Sequence, residues 1–164
     1  MNAGCYGAEM SDRLISVWAM DPQGVKHRIL CKDLHYRYRY CGLPEGWIFL
    51  SARFRGISSD PKRILETMIS FEKQREETQP LRVRTGGSTF ANPERHKAWQ
   101  LIDQIGYRGK RKGGACVSET HCNFLINEGS ATAEDLKALG EEIRQKVWET
   151  FGVNLTWEIR HWGF

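Results

Sequence analysis

The sequence predicts an α+β protein in two parts, a β-rich stretch over residues 1–57 and a smaller-element α+β stretch over residues 58–164. Three patterns carry that expectation. The first third contains apolar runs and a stretch that alternates with a period of two, as strands do. Beyond residue 57, apolar stripes recur at helical spacing, each behind a capping residue. Short apolar runs lie between those stripes, so strands and helices mix in the second part.

Leu14 to Met20 reads as an apolar strand. Asp21-Pro22-Gln23-Gly24 is a turn, with proline suited to its second position and glycine to its last. Val25 to Leu30 then returns as the second arm of a hairpin. A further strand is expected from Gly46 to Arg55, where Ile48, Leu50, Ala52 and Phe54 alternate with Phe49, Ser51, Arg53 and Arg55. Asp60 caps a first helix that Pro61 opens, and Ile64, Leu65, Met68 and Ile69 form its apolar stripe. The charged residues 72–77 read as its solvated end, and Pro80 stops it.

A second helix is expected to start at Asn92-Pro93, to turn Trp99, Ile102 and Ile105 inward and to end at Gly106. A third starts at Thr132, with Asp135 in a capping-box arrangement. Leu136, Leu139, Ile143 and Val147 keep its period, and Gly152 ends it. Cys122 to Asn127 is a short buried strand. Val153 to Arg160 is the last strand, with Val153, Leu155, Trp157 and Ile159 on one face and Asn154, Thr156, Glu158 and Arg160 on the other.

Composition limits the function classes. Hydrophobic residues make up 40% of the 164 and charged residues 27%, as in ordinary globular proteins. The net charge of +4 suits an anionic ligand without naming one. No apolar run approaches the roughly 20 residues of a membrane span, and the first residues show no secretory pattern. A cytoplasmic protein is expected. The five cysteines are odd in number and contain no CxxC, which argues against a disulfide framework. Cys116, His121 and Cys122 lack the paired spacing of a zinc site, so no metal is expected and the thiols read as reduced and mostly buried.

Several constellations could carry chemistry. In Thr85-Gly86-Gly87-Ser88-Thr89-Phe90-Ala91-Asn92-Pro93, a double glycine and a serine precede a helix start. Such a start favours anions, and a hydroxyl there could act on a reacting anion. The same residues also suit a plain strand-to-helix turn. If Tyr36-Arg37-Tyr38-Arg39-Tyr40 is extended, its tyrosines and arginines take opposite faces. That pattern fits carboxylate or phosphate recognition, single-stranded nucleic acid or a solvated edge strand. Glu158 and Arg160 share the polar face of the terminal strand. The basic run Arg108-Gly109-Lys110-Arg111-Lys112-Gly113-Gly114 suits phosphate or a solvated turn equally.

Together and in order, these pieces resemble one family. Gly87-Ser88-Thr89-Phe90-Ala91-Asn92-Pro93 resembles the GS-x-F-x-NP motif of the UDP-N-acetylenolpyruvoylglucosamine reductases. Met1-Asn2-Ala3-Gly4-Cys5-Tyr6-Gly7 resembles their MNAGxYG motif, and Tyr38-Arg39 their YR pair. Gly113 to Glu119 and His121, running into Phe124-Leu125-Ile126-Asn127, resemble the GGAxVSExH…FLIN segment. Leu155 to Arg160 is similar to the closing L-x-x-E-hydrophobic-R strand. The short connection from Phe54 to Ser88 is similar to the type II subgroup, which lacks a tyrosine-bearing substrate loop.

The resemblance implies an oxidoreductase of peptidoglycan biosynthesis. NADPH reduces FAD, and the flavin passes a hydride to UDP-N-acetylglucosamine enolpyruvate, giving UDP-N-acetylmuramate. It implies Ser88 as proton donor, Arg39 on the substrate carboxylate and Glu158 on the carboxylate's opposite side. Asn92, Tyr38 and His121 become substrate contacts. Asn2, Ala3, Gly4, Tyr6 and Gly7 become the loop beside the flavin. The implied architecture is the end of a flavin-binding, PCMH-type β-rich domain over residues 1–57, followed by a substrate-binding domain over residues 58–164.

The family carries a flavin-binding region, with a glycine-rich segment, ahead of the point where this chain starts. The expectation is therefore a C-terminal portion whose FAD site lies largely in the absent region. Residues 1–56 should then leave strand edges and an apolar face open, inviting self-association. The isolated chain is expected to be inactive, poorly soluble or oligomeric. Two other classes remain: a UDP-sugar-binding module without redox chemistry, and a basic-aromatic nucleic-acid binder. The resemblance favours neither.

Overall fold

The computed structural model describes residues 1–163 and is α+β. Its residues fall into two units, Met1–Phe71 and Glu72 onward.

The first unit opens with two short antiparallel strands, β1 (Gly4–Cys5) and β2 (Ala8–Glu9). A 3-10 turn over Met10–Asp12 leads into β3 (Leu14–Met20), and β4 (Lys26–Leu30) returns beside it. The connection is the expected turn: Gly24 N donates to Asp21 O at 3.0 Å, and the Asp21 carboxylate accepts from Gln23 N and Val25 N. Strand β5 (Ile48–Phe54) lies on the other side of β3, so the sheet order is β4-β3-β5, all antiparallel. Leu14, Val17 and Leu34 form a small core, with Ile29, Cys31, Tyr36, Cys41 and Leu43 packed against it.

Period-two alternation is present in β5, but all seven of its residues are exposed. Helix α1 (Pro61–Thr78) begins where Asp60 and Pro61 predict, with the Asp60 carboxylate accepting from Lys62 N at 3.0 Å. Its apolar stripe is exposed too, from Ile64 to Ile69. A single sheet layer can bury only the face that has a partner.

The second unit closes around one core. Strands β6 (Arg84–Ser88), β7 (Arg111–Lys112), β8 (Ala115–Val117) and β9 (Phe124–Asn127) form an antiparallel sheet of order β6-β9-β8-β7. Helices α2 (Ala98–Gln104) and α3 (Ala133–Phe151) supply the second layer. Phe90, Ile102, Val117, Leu125, Leu139, Ile143, Val147 and Leu155 interlock between them. The capping box of α3 is formed, with Asp135 N donating to Thr132 Oγ1 at 3.1 Å and Thr132 N to the Asp135 carboxylate at 2.9 Å. Gly152 ends α3 at φ 67°. Gly140 is required by close approach, since a Cβ there would meet Trp157 Cη2 at 2.0 Å.

Three expectations need correction, and the conformation of residues 36–40, which the sequence left open, is settled. The second helix starts at Ala98, not at Asn92-Pro93. Residues 93–96 form a turn closed by His96 N on Pro93 O, and the Asn92 carboxamide reaches forward to accept from Ala98 N at 2.9 Å. Asn92 thus caps the helix from six residues away. The Val153–Arg160 segment is not a regular strand; it makes one bridge, Phe90 to Trp157. Its inward residue Leu155 is still buried. Residues 36–40 are not extended: Arg37 and Tyr40 bridge through both backbone hydrogen bonds, putting Tyr38 and Arg39 at the tip of a tight turn with Arg39 at φ 52°. Of the five free thiols only Cys116 and Cys122 are buried; Cys31 and Cys41 are half-buried and Cys5 is exposed.

Candidate functional site

The double glycine makes a β-bulge. Strand β6 pairs with β9 through Arg84–Asn127, Thr85–Ile126 and Ser88–Phe124, and the register slips between Thr85 and Ser88. Gly87 takes φ 88°, a conformation that favours glycine. Bulges re-aim the residue that follows them, and here that residue is Ser88, half-buried at the strand end.

Beyond Ser88 the chain is held from both sides. Thr89 N donates to Asn123 O at 2.7 Å. The Asn123 side chain then grips Phe90, its Oδ1 accepting from Phe90 N at 3.0 Å and its Nδ2 donating to Phe90 O at 2.8 Å. On the other side, Glu158 N donates to Thr89 O and Ala91 N to Thr156 O, both at 2.9 Å. Phe90 and Trp157 pack with ring centroids 4.8 Å apart. Two segments far apart in sequence, one carrying Ser88 and the other Glu158, are thereby paired backbone to backbone.

Asn123 was missed by sequence reasoning. The signal was an asparagine inside the apolar run Cys122 to Ile126. A buried carboxamide needs partners, and at 4% exposure Asn123 has them.

His121 lies in an aromatic setting. Its ring meets Phe124 edge-on at 4.9 Å and tilts against Trp99 at 6.1 Å. Nδ1 accepts from Asn123 N at 3.3 Å. Burial pushes its pKa below the ordinary histidine value, which favours the neutral ring. Neighbouring Cys122 is also desolvated, and its thiol is pushed up to about 11.

The basic run is paired. Arg108 Nε donates to Asp103 at 2.9 Å, and its Nη1 reaches the carbonyl of Glu119. Arg111 forks onto Glu128 through two bonds of 2.9 Å. Lys112 reaches Glu142 at 2.8 Å, and Lys110 lies 4.0 Å from the same carboxylate. Each of the run's cations therefore faces a carboxylate within the second unit, which favours the turn over the phosphate site among the two readings the sequence left open.

Tyr38, Arg39 and the Asn2–Gly7 loop belong to the first unit. The Arg39 guanidinium lies over the Tyr38 ring at 5.1 Å. Asn2 is buried, donating to Glu9 at 2.6 Å and accepting from Ser11 N at 2.9 Å. Tyr6 stacks on Phe71 at 4.1 Å and donates its hydroxyl proton to Phe71 O at 2.9 Å. Asn2 and Ala3 border a cavity of about 370 Å³ with Leu14, Val17, Tyr36, Phe49 and Phe54 among its walls; Gly4, Tyr6 and Gly7 do not line it. The structure thus pairs the backbone of Glu158 with that of Thr89, the neighbour of Ser88, and gives Asn2 and Ala3 a shared apolar hollow. Among the described residues, no group of three or more His, Cys, Asp or Glu is placed to hold a metal ion, and no helix is long and apolar enough to cross a membrane.

Residues 79–162 match the family model described as UDP-N-acetylenolpyruvoylglucosamine reductase, C-terminal domain. Across 163 residues the chain is 55% identical to the UDP-N-acetylenolpyruvoylglucosamine reductase of Parvibaculum lavamentivorans and 53% identical to that of Paramagnetospirillum magneticum. Each match covers 99% of this chain and 53% of the relative, so the chain spans about half the length of these relatives. A crystal structure of the Thermus caldophilus UDP-N-acetylenolpyruvylglucosamine reductase superposes with a TM-score of 0.80 at 34% identity, covering 96% of this chain and 57% of that one. The family model and the matched fold agree with the motif order along the sequence, and the chain belongs to the UDP-N-acetylenolpyruvoylglucosamine reductase family.

Proposed function

We propose that this chain provides the proton-donating and carboxylate-binding side of an NADPH- and FAD-dependent reduction of UDP-N-acetylglucosamine enolpyruvate to UDP-N-acetylmuramate. The observation that carries this reading is the backbone pairing of the Ser88 and Glu158 segments through Thr89. Bound FAD would supply the hydride. Ser88, set by the glycine bulge, donates the proton to the carbon beside the carboxylate. Arg39 pairs with that carboxylate and absorbs its growing charge, and Glu158 approaches from the other side. Asn92 and Tyr38 make substrate contacts. His121, held neutral by burial and with Nδ1 engaged by Asn123 N, is a further substrate contact.

The apolar hollow beside Asn2 and Ala3 suits part of a flat ring system. No arginine or lysine lines it, so no cationic side chain is at hand there for a pyrophosphate. That division fits a chain in which Asn2 and Ala3 border the flavin ring, Gly4, Tyr6 and Gly7 continue the loop outside the hollow, and other sequence holds the phosphates.

The test joins this chain to the portion of the Parvibaculum relative outside the match and follows substrate-dependent NADPH oxidation. Ser88→Ala should lower turnover by about a hundredfold or more with flavin retained. Undiminished turnover in Ser88→Ala would overturn the assignment.

A further inference from the structure

We propose that the β4-β3-β5 sheet of the first unit carries an oxyanion site, one that takes a phosphoryl group attached to an aromatic ring. The site stands apart from the reductase reading, shares only Ser51 and Ala52 with the walls of the hollow beside Asn2 and Ala3, and uses no residue to which that reading gives a role.

The sheet register builds it. Trp18 on the central strand β3 lies opposite Arg28 of β4 on one side and Ser51 of β5 on the other. Two residues back, Ser16 lies opposite Leu30 and Arg53. Residues two apart on a strand share a face, and directly opposed partners share it as well. Arg28 and Arg53 therefore stand diagonally across β3 on one face. From strand spacing and rise, their Cα atoms are about 12 Å apart, close enough for both long side chains to lean over the central strand.

Between them is a cavity of about 330 Å³ lined by Ser16, Trp18, Arg28, Ser51, Ala52 and Arg53. It holds two guanidinium groups, two hydroxyls and one aromatic ring, and no carboxylate. Arg28 Nε already points inward, 3.5 Å from Ser16 Oγ, and Ser16 is only 4% exposed. Among the described residues neither arginine makes an ion pair, whereas Arg108 and Arg111 each hold a carboxylate. Two guanidinium groups beside a shared hollow, with the buried Ser16 hydroxyl and the exposed Ser51 hydroxyl among its walls, match the oxygens of a phosphoryl group. The Trp18 ring, 46% exposed beside them, offers a flat apolar surface for a ring attached to that phosphate.

The test titrates the chain at low ionic strength with inorganic phosphate and with phenyl phosphate, following backbone amide resonances. Saturable shifts are expected at residues 16–18, 28 and 51–53, with phenyl phosphate binding more tightly. Arg28→Gln and Arg53→Gln should each weaken binding about tenfold. Both arginines are exposed, so an unchanged unfolding midpoint will show that the fold survives. Trp18→Ala should abolish the preference for phenyl phosphate. Absence of saturable binding, equal affinity in the arginine variants, shifts confined to residues 108–112, or a ring preference that survives Trp18→Ala would each overturn the proposal.

Discussion

The two units spend their apolar residues differently. In the second, a four-stranded sheet and two helices close on one another, and Ile102, Leu139, Ile143 and Val147 are fully buried. In the first, a three-stranded sheet and the first half of α1, up to Phe71, carry comparable apolar patterns, yet only Leu14, Val17 and Leu34 make a buried cluster. Ile48, Phe49, Leu50 and Phe54 on β5 stay exposed, as do Ile64, Leu65, Met68 and Ile69 on α1. A periodic stripe is a capacity to bury, and an opposing layer is needed to use it.

One substitution of the same type in each unit should separate the two most strongly. Leu139→Ala empties a site with no exposure and should cost the second unit about 2–5 kcal/mol in denaturant unfolding. Leu65→Ala, at a residue 58% exposed, should stay within about 0.5 kcal/mol. A large effect at Leu65 would show that α1 is covered in solution, by self-association for instance, and a concentration-dependent midpoint would identify that.

A smaller effect separates the two helix starts. Thr132→Ala removes the α3 capping box and should lower the second unit's stability by about 1 kcal/mol. Asp60→Ala removes the contact to Lys62 N at the start of α1. Since α1 has no buried residue, its loss should appear as faster amide exchange in the first turn and leave the second unit's midpoint unchanged. Equal shifts in both variants would mean that the helices unfold as one body.

The elements whose signals are local were legible in the sequence. The Asp21–Gly24 turn, the Asp60-Pro61 start and the Thr132–Asp135 box each depend on neighbours within a few residues. The failures share a different cause. Asn92-Pro93 looks like a helix start because asparagine caps and proline opens helices, but here the cap spans six residues of turn. The alternation in Val153–Arg160 is real, yet its backbone partners are Thr89 and Ala91, so a strand could not be separated from a single bridge without the fold. In the same way, Ser88 and Glu158 were legible as residues through the family motifs. The grip of Asn123 on Phe90, which pins the chain beside Ser88, is a contact across 33 positions. The four cations of residues 108–112 were visible as charge, while Asp103, Glu128 and Glu142, which pair with them, are scattered through the sequence.

The smallest expected effect concerns pH, and it arises in the second unit. His121 is desolvated, and its pKa lies below the ordinary histidine value when the chain is folded. In the unfolded chain the same ring titrates at about 6.5. Between the two values the unfolded state binds more protons, so stability rises with pH across that window. The contribution of His121 is complete above about 6.5 and is lost progressively as the pH falls toward its lower folded value. Protonation would also convert Nδ1 from an acceptor into a donor, and Nδ1 accepts from the backbone N of Asn123, the residue that holds Phe90. Acid should therefore loosen the chain beside Ser88 before it unfolds the unit as a whole. His121→Asn keeps a side-chain acceptor near that position without a group that titrates in this range. Thermal midpoints measured through the window should fall less steeply in the variant than in the parent chain. Amide exchange at Thr89 and Phe90 should accelerate in the parent alone. Equal slopes in the two proteins would move the acid sensitivity away from His121.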